Sequence, residues 1–512
     1  QEMDHFITIM QNNVLDYLNE MVSRKPDKIA FSDGTDELTF CEVYQLSRAV
    51  GTWLIQRKNY KEAVVVFMHK HPREITTFCG VVAAGCFYVP VDAEMPKMRM
   101  ELIIKNLNAK VMICDRNTYE IAKELQFEGE IAVCDEIVQT PIDDQALKNV
   151  YDSAIDTDLV YVVFTSGSTG IPKGVTGCHR SIIDYIEQLS EILDFGEDTI
   201  FGNQAPLYFD ACLKEIYPTL KFGAMTYLLP KELFLFPIKL VEFLNKYQIN
   251  TICWVVSALT MISAFETFEE IVPEYLHTIA FAGEVFPVKQ FERWKKVLPN
   301  TVFVNLYGPT EGTGVCCYYK IEREMLINEV IPIGKPFKNT EILLLTDKNE
   351  QVKEGEEGEI CIRGTCISHG YYNDLERTKE AFVQNPLNNA YPEIIYKTGD
   401  IGRYNEYGEL IFVSRKDSQI KHMGHRIELG EIETYANTID NVELAGCIYD
   451  QEKDKIVLYY IGSVTHKDMM TAIKNILPRY MIPNRIIRLE KMPMTANGKI
   501  DRVELKKNSQ LE

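Results

Sequence analysis

Four hydroxyls, three glycines and a lysine stand together at Thr165-Ser-Gly-Ser-Thr-Gly-Ile-Pro-Lys-Gly174. Glycines let backbone N–H groups approach an anion, the hydroxyls add donors, and Lys173 adds a point charge, so the stretch suits an oligophosphate. It is not a Walker A loop, because no Gly-Lys-Ser/Thr ends it and a proline precedes the lysine. Alone, such a run equally fits a flexible surface loop. Other residues able to do chemistry are as ambiguous singly. Glu311, after Pro-Thr, could be a solvated turn residue, and Asp400, after Gly, a simple turn. Asp210 could cap a helix N-terminus or pair with Lys214 at i+4. Lys499 lies in Asn-Gly-Lys, a strong hairpin signal.

Short apolar runs alternate with helix-like segments over most of the chain: Ala63–Met68, Ala109–Cys114, Leu159–Phe164 and Thr251–Val256. Such runs predict strands of buried parallel sheets in α/β layers, one of them entering the hydroxyl-rich loop. From about Glu341 the texture changes. Glu341–Leu345, Gly358–Arg363 and Gly408–Ser414 are short runs between charged, glycine-containing turns, predicting a small antiparallel or barrel-like element. The polar segment from Arg415 to Gln419 follows an apolar strand, and a domain boundary is expected there, dividing residues 1–416 from 417–512.

At 512 residues the chain exceeds one ordinary core, and 46% apolar residues leave ample surface to bury. With 54 Lys+Arg against 74 Asp+Glu the net charge is −20, a field that disfavours nucleic acid and anionic membrane surfaces. The thirteen cysteines show no paired spacing, so buried free thiols in a reducing cytoplasm are expected. No run approaches the ~20 apolar residues that span a bilayer.

Read as a series, the motifs resemble the adenylate-forming superfamily, specifically the adenylation domains of nonribosomal peptide synthetases and D-alanine–carrier-protein ligases. Besides the hydroxyl-rich loop they include Tyr208-Phe-Asp-Ala211, Asn305-Leu-Tyr-Gly-Pro-Thr-Glu311, Tyr396-Lys-Thr-Gly-Asp400, Gly424-His-Arg-Ile-Glu-Leu-Gly-Glu431 and Asn497-Gly-Lys-Ile-Asp-Arg502, in the family's order. The resemblance runs from Leu38 to Arg502. It implies two α/β subdomains, a small distorted β-barrel and a mobile α+β C-terminal domain. It also implies ATP and Mg²⁺, with Thr165, Ser166, Gly167, Ser168, Thr169, Gly170 and Lys173 on the β- and γ-phosphates. By the same resemblance Glu311 holds Mg²⁺, Thr310 contacts the α-phosphate, and Lys499 bridges the substrate carboxylate and the α-phosphate. Tyr307 stacks on adenine, Asn305 reads its amino edge, Asp400 accepts from the ribose with Arg415 beside it, and Asp417 is the hinge. Two departures stand out: Ser414 precedes Arg415 where the family has glycine, and Val256 replaces a proline before Ser257.

The implied reaction is ATP-dependent activation of an acid as its acyl-adenylate, then transfer to the phosphopantetheine thiol of a carrier protein. Asp210 points to an amino acid, since the resemblance sets it against the substrate ammonium. The carried-over pocket comprises Asp210, Ala211, Lys214, Ser257, Ala280, Ala282, Gly283, Leu306, Gly314 and Val315, with Lys499. Small residues leave room for a long side chain, and Lys214, if it faces the pocket rather than Asp210, favours an acidic one. The alternatives are an acyl- or aryl-CoA ligase and a non-catalytic nucleotide-binding relative.

Overall fold

The computed structural model describes residues 11–167, 171–416, 419–494 and 500–511. The apolar runs are strands: Ala63–Phe67, Val111–Cys114, Leu159–Thr165 and Thr251–Val255. The first two are buried at every position, which is why they show no alternation. Three of these join a six-stranded sheet in which five strands run parallel and Lys173–Cys178 folds back antiparallel on Leu159–Thr165. That return pairs Thr165 with Lys173, so the hydroxyl-rich loop is the turn of a β-hairpin.

A nine-stranded sheet carries the other half of the site. Its strands Thr251–Val255, Thr278–Ala282 and Val302–Tyr307 are parallel neighbours, and Val255, Ala282 and Leu306 stand side by side. Their carboxyl ends therefore open on one edge, where ligands of α/β sheets bind. A third sheet of five strands is antiparallel and contains Thr340–Leu345, Gly358–Gly364 and Leu410–Arg415. The fold is thus two α/β sheets, a small curled antiparallel sheet and a smaller α+β portion.

The α+β portion begins with the hairpin Gln419–His422 and His425–Glu428. Met423 and Gly424 at its tip both have positive φ, as a two-residue type I′ turn requires. Helix Leu429–Ala436 follows, then the three-stranded sheet of Val442–Asp450, Lys455–Gly462 and Arg485–Arg488. One face of that sheet packs with the hairpin and with Leu102, from the large portion. The other holds Ile448, Val457 and Tyr459 with Leu505 and Ile500. Twelve of the thirteen cysteines are buried, Cys41 being the exception. Among the described residues no helix is long and apolar enough to cross a membrane.

Candidate active site

The hydroxyl-rich hairpin turn grips the C-terminal portion. Ser166 Oγ donates to the Arg426 carbonyl at 2.6 Å and accepts from the Glu428 N–H at 3.2 Å. Gly167 N–H donates to Glu431 Oε2 at 3.2 Å, and the other Glu431 oxygen meets Arg99 in a fully buried ion pair. A Cβ on Gly167 would lie 2.2 Å from the Ile171 carbonyl oxygen, so only glycine fits. The turn therefore binds an anion already, in the form of a carboxylate. Thr165 Oγ1 is buried with no partner among the described residues, a donor left over for a ligand. Ser168, Thr169 and Gly170 lie outside the described residues, as do Lys499 and Asp417.

Glu311 sits in the single turn Thr310–Gly312 and is 0% exposed. Tyr371 OH donates to its Oε1 at 2.7 Å, Lys173 Nζ stands 3.4 Å from the same oxygen, and Arg426 Nη1 donates to Oε2 at 2.6 Å. Burial opposes its charge, but Arg426 and then Lys173 outweigh burial and hold the carboxyl far below its usual range. The same burial pulls Lys173 down to about 8, helped by Arg426. A hard cation such as Mg²⁺ takes carboxylate oxygens, and Glu311 fits that need once Arg426 withdraws from Oε2.

The third sheet supplies the next group. Asp400 and Arg415 are direct cross-strand partners, and Arg415 Nη1 donates to Asp400 Oδ1 at 2.6 Å, so Ser414 does not cost this contact. Tyr307 OH donates to Asp400 Oδ2 at 2.5 Å. Asn305 Nδ2 donates to the Pro332 carbonyl at 2.8 Å, which leaves its oxygen as the acceptor for an amino group. Lys421 of the C-terminal hairpin lies over the Tyr307 ring, 5.5 Å from its centre.

Between these groups and the nine-stranded sheet lies the acid pocket. Asp210 opens a 3-10 turn, Asp210–Cys212, that runs into helix Leu213–Phe222. Its carboxylate does not cap that helix. It turns away to accept from Gly314 N–H at 3.1 Å, with Thr310 Oγ1 at 3.4 Å. Burial raises its pKa, against the pull of Lys214. Lys214 is 6% exposed and makes no ion pair or hydrogen bond among the described residues, so the i,i+4 pair does not form. Ser257 N–H donates to Glu284 Oε2 at 2.8 Å at the start of helix Val256–Ala264. Ala280 and Leu306 are buried strand residues, with Ala282 and Gly283 at the open end of theirs and Val315 buried after Gly314. Gly314 has φ +79°, and a Cβ there would press on the Tyr185 ring at 3.1 Å. Asp210 and Ala211 border a cavity of about 110 Å³, roofed by Gly424, His425 and Arg426. That is below the ~300–1,000 Å³ of a small-molecule site, because the hairpin fills the cleft.

Sequence reasoning assigned no role to Arg99, Glu284, Tyr371, Lys421, Arg426 or Glu431. Arg426 and Glu431 were within reach, since Gly424–Glu431 is one of the resembling motifs. The others carry no local signal, because their partners lie far away in the chain. Glu284, for example, also accepts from Gly424 N–H at 3.1 Å.

The family of AMP-binding enzymes matches residues 18–372. The chain is 30% identical over 492 residues to tyrocidine synthase 1 of Brevibacillus parabrevis, covering 95% of this chain and 44% of that protein. It is 31% identical over 498 residues to surfactin synthase subunit 1 of Bacillus subtilis, covering 96% of this chain and 14% of that one. The chain thus spans less than half the length of these relatives. Among solved structures, the Vibrio cholerae adenylation domain AlmE, in complex with glycyl-adenosine-5′-phosphate, matches with a TM-score of 0.83 at 19% identity, over 98% of each chain. With a buried anion-binding turn, a carboxylate ringed by cations and a family match over most of its length, the chain belongs to the AMP-binding enzymes and is an AMP-forming ligase.

Proposed function

We propose that the chain activates an amino acid as its aminoacyl-adenylate and then passes the aminoacyl group to the phosphopantetheine thiol of a carrier protein. In the first step a substrate carboxylate oxygen bonds to the α-phosphorus of ATP as the bond to pyrophosphate breaks. Both reactants are anions, so the protein's work is positioning and charge neutralisation. The observation that carries an amino acid rather than a plain acyl substrate is Asp210, a buried carboxylate with two neutral donors and no cation bonded to it among the described residues. A substrate ammonium would complete its pairing. AlmE, solved with an aminoacyl-adenosine phosphate, and the peptide synthases among the relatives support the same reading.

Thr165, Ser166, Gly167, Ser168, Thr169, Gly170 and Lys173 hold the phosphates in this reading, and Asn305, Tyr307, Asp400 and Arg415 the nucleoside. Mg²⁺, held by Glu311, supplies charge neutralisation on the phosphate oxygens. Thr310 and Lys499 act on the reacting carboxylate and α-phosphate. ATP entry requires Ser166, Gly167 and Glu311 to release Arg426, Glu428 and Glu431, so the portion beyond Asp417 turns as a unit about that residue. The position of Ile500 supports this turn, since it packs on the sheet face opposite the one beside the hairpin.

We further propose an acidic substrate side chain. Lys214 is buried without an ion pair among the described residues, and Glu215 beside it is pushed up by burial to about 7, so it neutralises Lys214 only in part. Tyr161 and Tyr185 add buried hydroxyls without partners among the described residues, both within reach of the Asp210 field. ATP–pyrophosphate exchange across all common amino acids tests this: glutamate or aspartate leads, and Lys214→Leu shifts the preference to neutral side chains. A panel led by an aromatic or aliphatic residue overturns the acidic reading, and exchange only with fatty or aryl acids overturns the amino-acid one. Asp210→Ala raises the amino-acid KM roughly 10- to 150-fold, the value of a charge-assisted hydrogen bond, with ATP affinity unchanged. Normal activation of the same amino acid by this variant would remove Asp210 from substrate binding.

A further inference from the structure

Glu284 joins the acid pocket to the hairpin that roofs it. It lies two residues beyond strand Thr278–Ala282. Its Oε2 accepts from Ser257 N–H at 2.8 Å, at the start of helix Val256–Ala264. Its Oε1 accepts from Gly424 N–H at 3.1 Å, at the tip of the C-terminal hairpin. The fit around that tip is close. A Cβ on Gly424 would lie 2.6 Å from Val255 Cγ1, so only glycine lets the turn seat against the end of strand Thr251–Val255. Both bonds to Glu284 come from neutral N–H groups, and among the described residues it makes no ion pair. Burial raises its pKa, and the Gly424 and then the Ser257 N–H counter that rise, so docking of the tip and ionisation of Glu284 favour each other. Of the charged side chains about it, Asp454 opposes its ionisation and Lys421 of the hairpin gains from it.

The docked hairpin excludes ATP but leaves room for what remains after pyrophosphate departs. Glu431 occupies the Gly167 N–H and Arg426 occupies Glu311, the groups that hold the β- and γ-phosphates and Mg²⁺ in the reading proposed above. From this geometry we infer that Glu284 is a positioning residue that holds the hairpin in the docked pose, and so sets the balance between ATP binding and transfer of the acyl group. The inference rests on the two-step reading above. A hydrogen bond to a charged acceptor shifts an equilibrium between two poses about tenfold or more, and a ligand shut out of one pose binds more weakly by that pose's share. Loss of the Glu284–Gly424 bond therefore acts with opposite signs on the two steps. A general loss of structure would weaken both.

Glu284→Gln in the full chain tests this, because an amide offers one acceptor oxygen where the carboxylate offers two. Binding of a non-hydrolysable ATP analogue, measured by calorimetry without amino acid, tightens about tenfold. Transfer to free pantetheine from the preformed adenylate of the amino acid that leads the exchange panel slows about tenfold. Gly424→Ala presses the tip off Val255 from the other side and gives both changes in the same directions, so it serves should Glu284→Gln fail to fold. The double variant adds little to either single one, because both substitutions break one contact. Unchanged analogue affinity in both variants overturns the proposal, and so does weaker analogue binding together with slower transfer. A wild-type chain that transfers to no thiol would refute the two-step reading instead, and the analogue affinity would still decide the role of Glu284.

Discussion

Replacing Lys499 with alanine lowers amino-acid-dependent ATP–pyrophosphate exchange about 10²–10³-fold and leaves ATP affinity within a few-fold, the expected cost of one preorganised charge contact to a transition state. The separation of the two effects follows from where the phosphates' other donors reside. Ser166, Gly167 and Lys173 belong to the large portion and stay in place when Lys499 is altered. Lys499 lies between Met494 and Ile500, which bridge each other, and Ile500 packs against Leu505 and Gly446 on the far face of the small sheet. In the proposed reading Lys499, one residue before Ile500 in the chain, acts only after the small portion turns. Transfer from a chemically supplied aminoacyl-adenylate to a carrier thiol should be nearly unchanged in the variant, because in the proposed reading Lys499 acts only in the first step. Near-normal exchange would take Lys499 out of the reaction, and equal loss of both steps would give it a structural role.

Glu311→Gln is expected to abolish magnesium-dependent exchange and to destabilise the chain by about 3–5 kcal/mol at neutral pH, the cost of leaving buried charge unpaired. The amide keeps the shape of the carboxylate but cannot balance Arg426 Nη1 at 2.6 Å and Lys173 at 3.4 Å. The direction with pH follows from the depressed carboxyl. Stability from Glu311 is fully present above its unfolded value near 4.5 and is lost only as pH falls through its much lower folded value. The destabilisation is therefore visible at neutrality by urea denaturation, and wild type and variant converge only in strong acid. Adding Arg426→Met should recover part of the loss, since it removes one of the stranded cations. Unchanged denaturation of the single variant would mean that Arg426 and Lys173 find other partners.

How much of this was legible in the sequence depended on the range of the interaction. Buried parallel strands show as continuous apolar runs because both faces are covered, so Ala63–Phe67, Leu159–Thr165 and Thr251–Val255 could be placed within a residue or two. The hydroxyl-rich turn was legible because glycine and hydroxyl chemistry is local. The state of Asp210 was not: a helix cap, a pair with Lys214 and a ligand carboxylate are equally allowed by the spacing. Only packing turned its oxygens to Gly314 and Thr310, more than ninety residues downstream. The sequence by itself determined the layered α/β architecture, the anion-binding turn and the acid and base residues available for chemistry, because periodicity, turn chemistry and side-chain type are properties of neighbouring residues. Tertiary structure alone decided that Arg426 covers Glu311 and that Glu431 stands in for an anion at Gly167, because electrostatic pairing acts through space between segments that no local pattern relates.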